Sequence, residues 1–442
     1  MNYHIWTEGC QMNVADSRRL GSALERLGYQ HTSQAEEADV IVLNTCVVRQ
    51  SAEDRAYGRL GSLRPLKKKN PNLVINLMGC LVGVRSSEKL RKKLPFVDVF
   101  SPPSDPGPLI SYLSQNETRL FEKDKLSNRN EILDSEIILP EQDRGKLVSA
   151  YIPIVYGCSH ACTYCIIPYK RGVERSRPVE EITSEAHSLV QQGVREITLL
   201  GQIVDRYGKD LDDNSDLSSL LHELHQIDSL LRIRFLTSHP NYLSQKILES
   251  VAELPRVMPH IEVPIQAGDD EILKKMKRGY TGSDYRSLVE LIRRIIPNVS
   301  IATDIIVGFP GETDAQFMET YSLLDDLKLD VAHLARYSPR EGTVSERRMQ
   351  DDVPDEVKMS RFRMLEELQK GIAGTINETY LGKEIPVLFE EKVKGRWRGR
   401  TPTNKLVFVE TGQDLRGREE DVSITWTGPW SMQARLLLEN SY

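Results

Sequence analysis

Apolar positions along this chain fall into short continuous runs, each followed by a stretch in which they recur every three or four residues. At the start of the chain the runs at 3–6, 39–44 and 73–78 predict buried strands, and the stretches at 15–27, 50–69 and 87–93 predict helices. Strands alternating with helices predict a parallel sheet covered by helices, an α/β domain of the Rossmann or flavodoxin-like kind.

The pattern lapses over residues 118–143, which are polar and charged and predict a linker. It resumes with strand runs at 147–155, 196–200, 232–236, 260–263, 300–307 and 330–337, separated by helical stretches such as 182–192 and 285–295. Six strand-helix units predict a partial (β/α)6 TIM-like barrel. Beyond it, the runs at 385–389, 406–409 and 422–426 lie between Gly-rich turns and predict a small all-β barrel. The expected division is therefore 1–117, a linker at 118–143, a core at 144–375 and a terminal module at 376–440.

A chain of 442 residues is long enough for two or three domains, and 39% hydrophobic with 28% charged residues is the composition of a globular protein. No apolar run approaches the roughly 20 residues of a membrane span, and the start lacks a basic and then apolar leader, so a cytoplasmic protein without a membrane partner is expected. The net charge of -6 gives no overall attraction to nucleic acid, which leaves local basic stripes. One such stripe runs from Lys392 to Lys405, with six basic residues in fourteen and no acid. Within it Lys394, Arg396, Arg398 and Arg400 alternate, so that one strand face would meet phosphates while Trp397 stacks on a base or packs inward. An ordinary solvated strand face has the same composition.

Six cysteines change the picture more. Cys10, Cys46 and Cys80 each follow one of the first three strands. Loops after parallel strands lie on one side of a sheet, so the three thiols have a route to one place, although buried free cysteines also serve as small apolar side chains. Cys158, Cys162 and Cys165 form a C-x3-C-x2-C run after the first strand of the second region. Three thiolates with no fourth cysteine nearby suit a 4Fe-4S cluster with one open iron; with His160 as a fourth ligand they would also suit zinc.

That spacing, with Tyr164 just before the last cysteine, resembles the signature of the radical S-adenosylmethionine (SAM) superfamily. Gly9-Cys10-Gln11-Met12-Asn13, Asn44-Thr45-Cys46, Met78-Gly79-Cys80 and the run from Cys165 to Gly172 resemble the methylthiotransferase family within it, and the terminal module is similar to the TRAM domain. The resemblance spans essentially the whole chain. It implies two 4Fe-4S clusters, one on Cys158, Cys162 and Cys165 that cleaves SAM to a 5′-deoxyadenosyl radical, and an auxiliary one on Cys10, Cys46 and Cys80 that carries the sulfur. SAM would serve as radical source and methyl donor, held by Tyr164, Gly201, Gln202, Gln266 and Asp304.

Gln-Met-Asn after the first cysteine resembles members that act on N6-dimethylallyladenosine next to the anticodon of tRNA. Other members modify threonylcarbamoyl-adenosine or a ribosomal protein, and a non-enzymatic iron-sulfur RNA sensor is the alternative of another class. The implied partners are tRNA, an electron donor such as flavodoxin or ferredoxin, and iron-sulfur carrier proteins. One departure stands out: Ile203-Val204-Asp205 occupies the place where the family pattern leads one to expect Asn-Val-Asn. The C2–H of adenine is too weakly acidic for a general base near neutral pH, so His239 and His333 are expected to position rather than to catalyse.

Overall fold

The computed structural model describes residues 1–48, 50–85, 88–116 and 137–437. Most of the expected linker, residues 118–136, lies outside them. The amino-terminal part comprises β1 (Asn2–Glu8), α1 (Gln11–Arg26), β2 (Gln30–His31), β3 (Val40–Thr45), α2 (Gln50–Lys69), β4 (Val74–Gly79), α3 (Glu88–Lys93), β5 (Val99–Ser101) and α4 (Gly107–Asn116). The strands pair in parallel in the order β2-β1-β3-β4-β5. β3 is buried along its whole length, which explains its unbroken apolar run. Ile41, Leu43, Ile75 and Leu77 face Leu60 and Leu63 of α2, while Tyr3, Val40 and Val42 face Leu20 and Leu24 of α1 and Leu109 of α4. α1 begins four residues earlier than its apolar period indicates, because Cys10 and Asn13 form a capping box at its start.

The core runs through β6 (Ser149–Pro153), β7 (Val155–Tyr156), α5 (Ile167–Arg171), β8 (Arg175–Ser176), α6 (Val179–Gln191), β9 (Glu196–Leu200), α7 (Leu217–His225), β10 (Arg232–Phe235) and α8 (Gln245–Glu253). It continues with β11 (His260–Glu262), α9 (Asp270–Lys275), α10 (Gly282–Ile295), β12 (Ser300–Val307), α11 (Asp314–Leu327), β13 (Val331–Arg336), α12 (Val344–Arg348) and α13 (Asp355–Glu378). The strand expected at 147–155 is in fact two. β6 joins the barrel, whereas β7 pairs antiparallel with β8, so the cysteine loop leaves and returns at one place.

The six barrel strands form two parallel sheets, β10-β9-β6 and β11-β12-β13. Their seam is bridged by backbone bonds, Ser238 N to Glu262 O at 2.9 Å and Met258 N to Ile233 O at 2.9 Å. β6 and β13 remain as the two edges, with α1 packed beside β6 and α13 beside β13. Capping boxes fix the starts of α10 (Thr281 with Asp284) and α11 (Thr313 with Gln316).

The terminal module is a closed barrel of β14 (Glu384–Val393), β15 (Arg396–Arg400), β16 (Leu406–Val409), β17 (Glu419–Thr427) and β18 (Met432–Leu436), in the order β14-β15-β16-β18-β17. The expected boundary at 376 falls in the last turn of α13. Two fully or almost fully buried arginines fasten this module to the core: Arg232 donates to Glu419 at 2.6 Å and to Arg400 O at 2.6 Å, and Arg234 donates to Thr401 O at 2.9 Å and Pro402 O at 2.8 Å. Among the described residues no helix is long and apolar enough to cross a membrane.

Candidate functional site: two cysteine triads and the cavity beside them

The three early cysteines meet at the carboxyl ends of β1, β3 and β4. Buried amides hold their loops: Asn13 Nδ2 donates to Asn44 Oδ1 at 2.8 Å and to Thr45 O at 3.0 Å, and Asn44 Nδ2 returns a bond to Asn13 O at 2.9 Å. Thr45 Oγ1 ties the ends of β3 and β4 together through Met78 O at 2.7 Å. Gly79, with φ of +99°, leaves no room for a side chain, since a Cβ there would lie 2.4 Å from Thr45 O. A hydrogen bond between Cys10 and Cys46 pulls the Cys10 thiol down and pushes the Cys46 thiol up, and burial raises Cys80.

The second triad lies on the loop between β7 and α5. Gly157, with φ of +68°, makes its entry turn, and Cys158 N bonds Gly172 O at 3.0 Å where the loop closes. Burial raises the Cys158 thiol to about 11 and the Cys165 thiol to about 12, with neighbouring Cys162 adding to both. Arg278 donates to Cys162 Sγ at 3.3 Å and is itself held by Tyr280 Oη at 2.8 Å. Ile203, in the departing segment, packs on Cys158 and Ile167.

The two triads are joined through α5. Ile166, directly after Cys165, belongs to the same apolar cluster as Cys80, Leu81 and Val82. Val84 N bonds Lys170 O at 3.0 Å. Beside this contact lies a cavity of about 870 Å³ whose walls include Val48 and Gln50, just past Cys46, together with Tyr164, Cys165, Gln266 and Asp304. Three of the residues expected to hold SAM, Tyr164, Gln266 and Asp304, thus share one cavity with Cys165. Gly201 and Gln202 are not among its walls; they lie two residues and one residue before the side chain packed on Cys158. Gln266 sits at φ of +81° and its backbone N–H donates to Asp304 O at 2.9 Å, which couples the segment after β11 to the middle of β12.

Among the described residues no three His, Cys, Asp or Glu side chains are grouped to hold a metal ion. Zinc needs four ligands around a point, whereas a cubane meets three thiolates at three separate corners. His160, the fourth ligand that zinc would need, instead stacks on His239 with ring centroids 4.5 Å apart. Two sets of three thiols with Arg171 or Arg278 beside them suit anionic clusters better.

The terminal stripe is placed differently from expectation. Trp397 is 4% exposed, packs in the barrel core and donates to Gln413 O at 2.8 Å, so its ring is unavailable to a base. Alternation on β15 puts Trp397 inward and the arginines outward. Arg398 is occupied by Glu391 and Glu390, and Arg400 by Glu390 and Asn404; both face a cavity against the core lined also by Arg234 and Glu196. Lys394, at φ of +48°, is at the tip of the β14-β15 hairpin rather than on the strand.

Sequence reasoning missed Arg171, Arg278 and Asp205 as site residues. Arg171 lies inside the run from Cys165 to Gly172; Arg278 carries no local signal, and Asp205 stands in the segment that departs from the family pattern. Asp205 is buried, accepts the His239 amide at 2.6 Å and has its carboxyl raised by burial to about 7.

A partial barrel with a C-x3-C-x2-C loop at its first strand defines a radical SAM enzyme, here carrying a second thiolate site. The model of the Radical SAM superfamily matches residues 152–324, that of Uncharacterized protein family UPF0004 residues 2–101, and that of the TRAM domain residues 378–437. The tRNA-2-methylthio-N(6)-dimethylallyladenosine synthase of Herpetosiphon aurantiacus is 46% identical over 99% of this chain and 98% of its own length. That of Dictyoglomus thermophilum is 45% identical over 99% of each. The chain belongs to the family of these synthases. In fold it is similar to the radical SAM methyltransferase TsrM of Kitasatospora setae (TM-score 0.53, 15% identity, covering 76% of this chain and 72% of that one). A second similar fold is the cobalamin-dependent radical enzyme OxsB (TM-score 0.52, 12% identity, covering 84% and 56%).

Proposed function

We propose that this chain converts N6-dimethylallyladenosine next to the anticodon of tRNA to its 2-methylthio derivative. One observation carries the reading: α5 packs the loop of Cys165 against the loop of Cys80, and the cavity of about 870 Å³ beside them is walled by Cys165 of one triad and by Val48 and Gln50, just past Cys46 of the other. Cys158, Cys162 and Cys165 would hold the cluster that with SAM would supply a 5′-deoxyadenosyl radical, and Cys10, Cys46 and Cys80 the cluster that would supply the sulfur.

The chain's own residues hold and confine. Gln266 and Asp304, with Tyr164 behind the last cysteine, are proposed to hold SAM, and Gly201 and Gln202 to support the cluster loop from β9. Burial, with Arg278 and His160 nearby, drives His239 down to about 2, so it stays neutral at working pH. Asn241 N donates to its Nδ1 at 3.2 Å, which leaves the proton on Nε2. A neutral, fixed imidazole suits positioning and not proton abstraction from C2. Lys394 and Arg396, at the open end of the hairpin, are proposed as phosphate contacts for the tRNA. An electron donor of the flavodoxin or ferredoxin kind and an iron-sulfur carrier protein complete the proposed partners, and the cytoplasm is the proposed location.

Anaerobic turnover with unmodified, dimethylallyl-modified and threonylcarbamoyl-modified tRNA, followed by nucleoside mass spectrometry, tests this. The expected product arises only from the dimethylallyl substrate; methylthiolation of a ribosomal protein alone would overturn the reading.

A further inference from the structure

Arg171 belongs to the core by sequence, six residues after Cys165, but its surroundings are those of the amino-terminal site. Its side chain is 4% exposed. Nη1 donates to Ser104 Oγ at 3.3 Å and lies 3.9 Å from Asp16 Oδ2, whose side chain is 1% exposed. Nη2 of Arg171 and both carboxylate oxygens of Asp16 are buried and make no hydrogen bond of good geometry; the groups nearest to bonding them are the Cys80 thiol and Ser104. Burial opposes the guanidinium charge, and the groups that hold it are Cys80, Asp16 and Cys10.

A buried ion pair that leaves a donor and acceptors unused is costly to the fold. Its one evident use is toward the group that three thiolates would bind, an anionic cluster whose negative charge grows on reduction. Hydrogen bonds to ligating sulfur and nearby positive charge set how readily such a cluster is reduced and how firmly it is kept.

We propose that Arg171 is a positioning residue for the auxiliary cluster, supplied by the radical SAM loop, which bonds Cys80, lies within electrostatic reach of Cys10 and offsets the charge of the cluster they bind. This rests on the assignment of Cys10, Cys46 and Cys80 to a cluster. It makes the reducibility of the auxiliary site depend on the docking of α5, because the same helix carries Arg171 inward and follows directly on Cys165. Arg278 at Cys162 is the matching group of the other triad, and it serves as a control.

The test is a potentiometric titration of the anaerobically reconstituted full chain followed by electron paramagnetic resonance, with the release of iron to a chelator timed in parallel. Added SAM marks the core cluster, and the signal that ignores SAM is the auxiliary one. In Arg171→Met the auxiliary potential should move to more negative values and auxiliary iron should leave on the order of tenfold faster. Arg171→Lys, which keeps the charge but not the fork, should shift both less and in the same direction. Arg278→Met should move the SAM-responsive signal instead.

If Arg171→Met does not fold, Arg171→Lys carries the test. Auxiliary potential and iron release at wild-type values in the folded variant would overturn the proposal, as would an equal shift of both signals. Wild-type protein that holds only one cluster would instead sink the underlying assignment, so the two failures are distinguishable.

Discussion

Asp205 Oδ2 accepts the backbone N–H of His239 at 2.6 Å, in the segment that departs from the family pattern. Burial raises the Asp205 carboxyl to about 7, against the opposing pull of the His239 amide and the Ser238 hydroxyl. Below about pH 4 the side chain is neutral in both folded and unfolded chains. As pH rises toward 7 the unfolded chain releases its proton first, so stability falls, and above 7 the loss is complete. An amide accepts the same bond without that loss. Asp205→Asn should therefore match wild type near pH 4 and exceed it at pH 8 by roughly 2 to 4 kcal/mol. Denaturant unfolding at the two pH values checks this, and a constant difference between them would count against it.

The two triads should separate in their failures. Cys10→Ala should still form 5′-deoxyadenosine from SAM after reduction yet make no methylthio nucleoside, whereas Cys162→Ala should lose both. Equal loss of SAM cleavage in the two variants would argue against separate roles.

Gly157 turns the chain into the second triad, and a Cβ there would lie 2.0 Å from Val173 O. The positive φ adds strain for any other residue. Gly157→Ala should cost about 2 to 3 kcal/mol in the apo chain and lower iron retained at the core site. Chemical denaturation and iron analysis read the two effects, and a wild-type midpoint would refute the expectation.

On the terminal module, Arg398 is paired with Glu390 and Glu391, whereas among the described residues Lys394 and Arg396 form no ion pair. Replacing Lys394 and Arg396 together by Ala should weaken tRNA binding and reduce the log-log salt slope by about 1 to 2. Arg398→Ala should leave the slope near wild type. Anisotropy titrations across a range of potassium chloride concentrations compare them, and a larger effect at Arg398 would reverse the assignment.

Much of this was legible beforehand, for physical reasons. Strands buried on both faces write themselves as continuous apolar runs, so β3, β4 and β12 could be placed within a residue or two. The cysteines were readable because each sits at a strand end or in a short fixed spacing. What escaped were partners distant along the chain: Arg278 reaches Cys162 from 116 residues away, and Arg232 reaches Glu419 from 187. The inward turn of Trp397 depends on the pairing of β15 within its barrel, and a lone strand pattern leaves both faces open to an indole.

Among the described residues the core stops at six strands, and its two unpaired borders are shielded by helices, β6 by α1 of the amino-terminal part and β13 by the core's own α13. Bare strand borders are templates for unwanted association between molecules. Excised alone, the catalytic segment would bare the β6 border and would be prone to precipitate, so the amino-terminal unit acts as its chaperoning flank as well as its partner in chemistry.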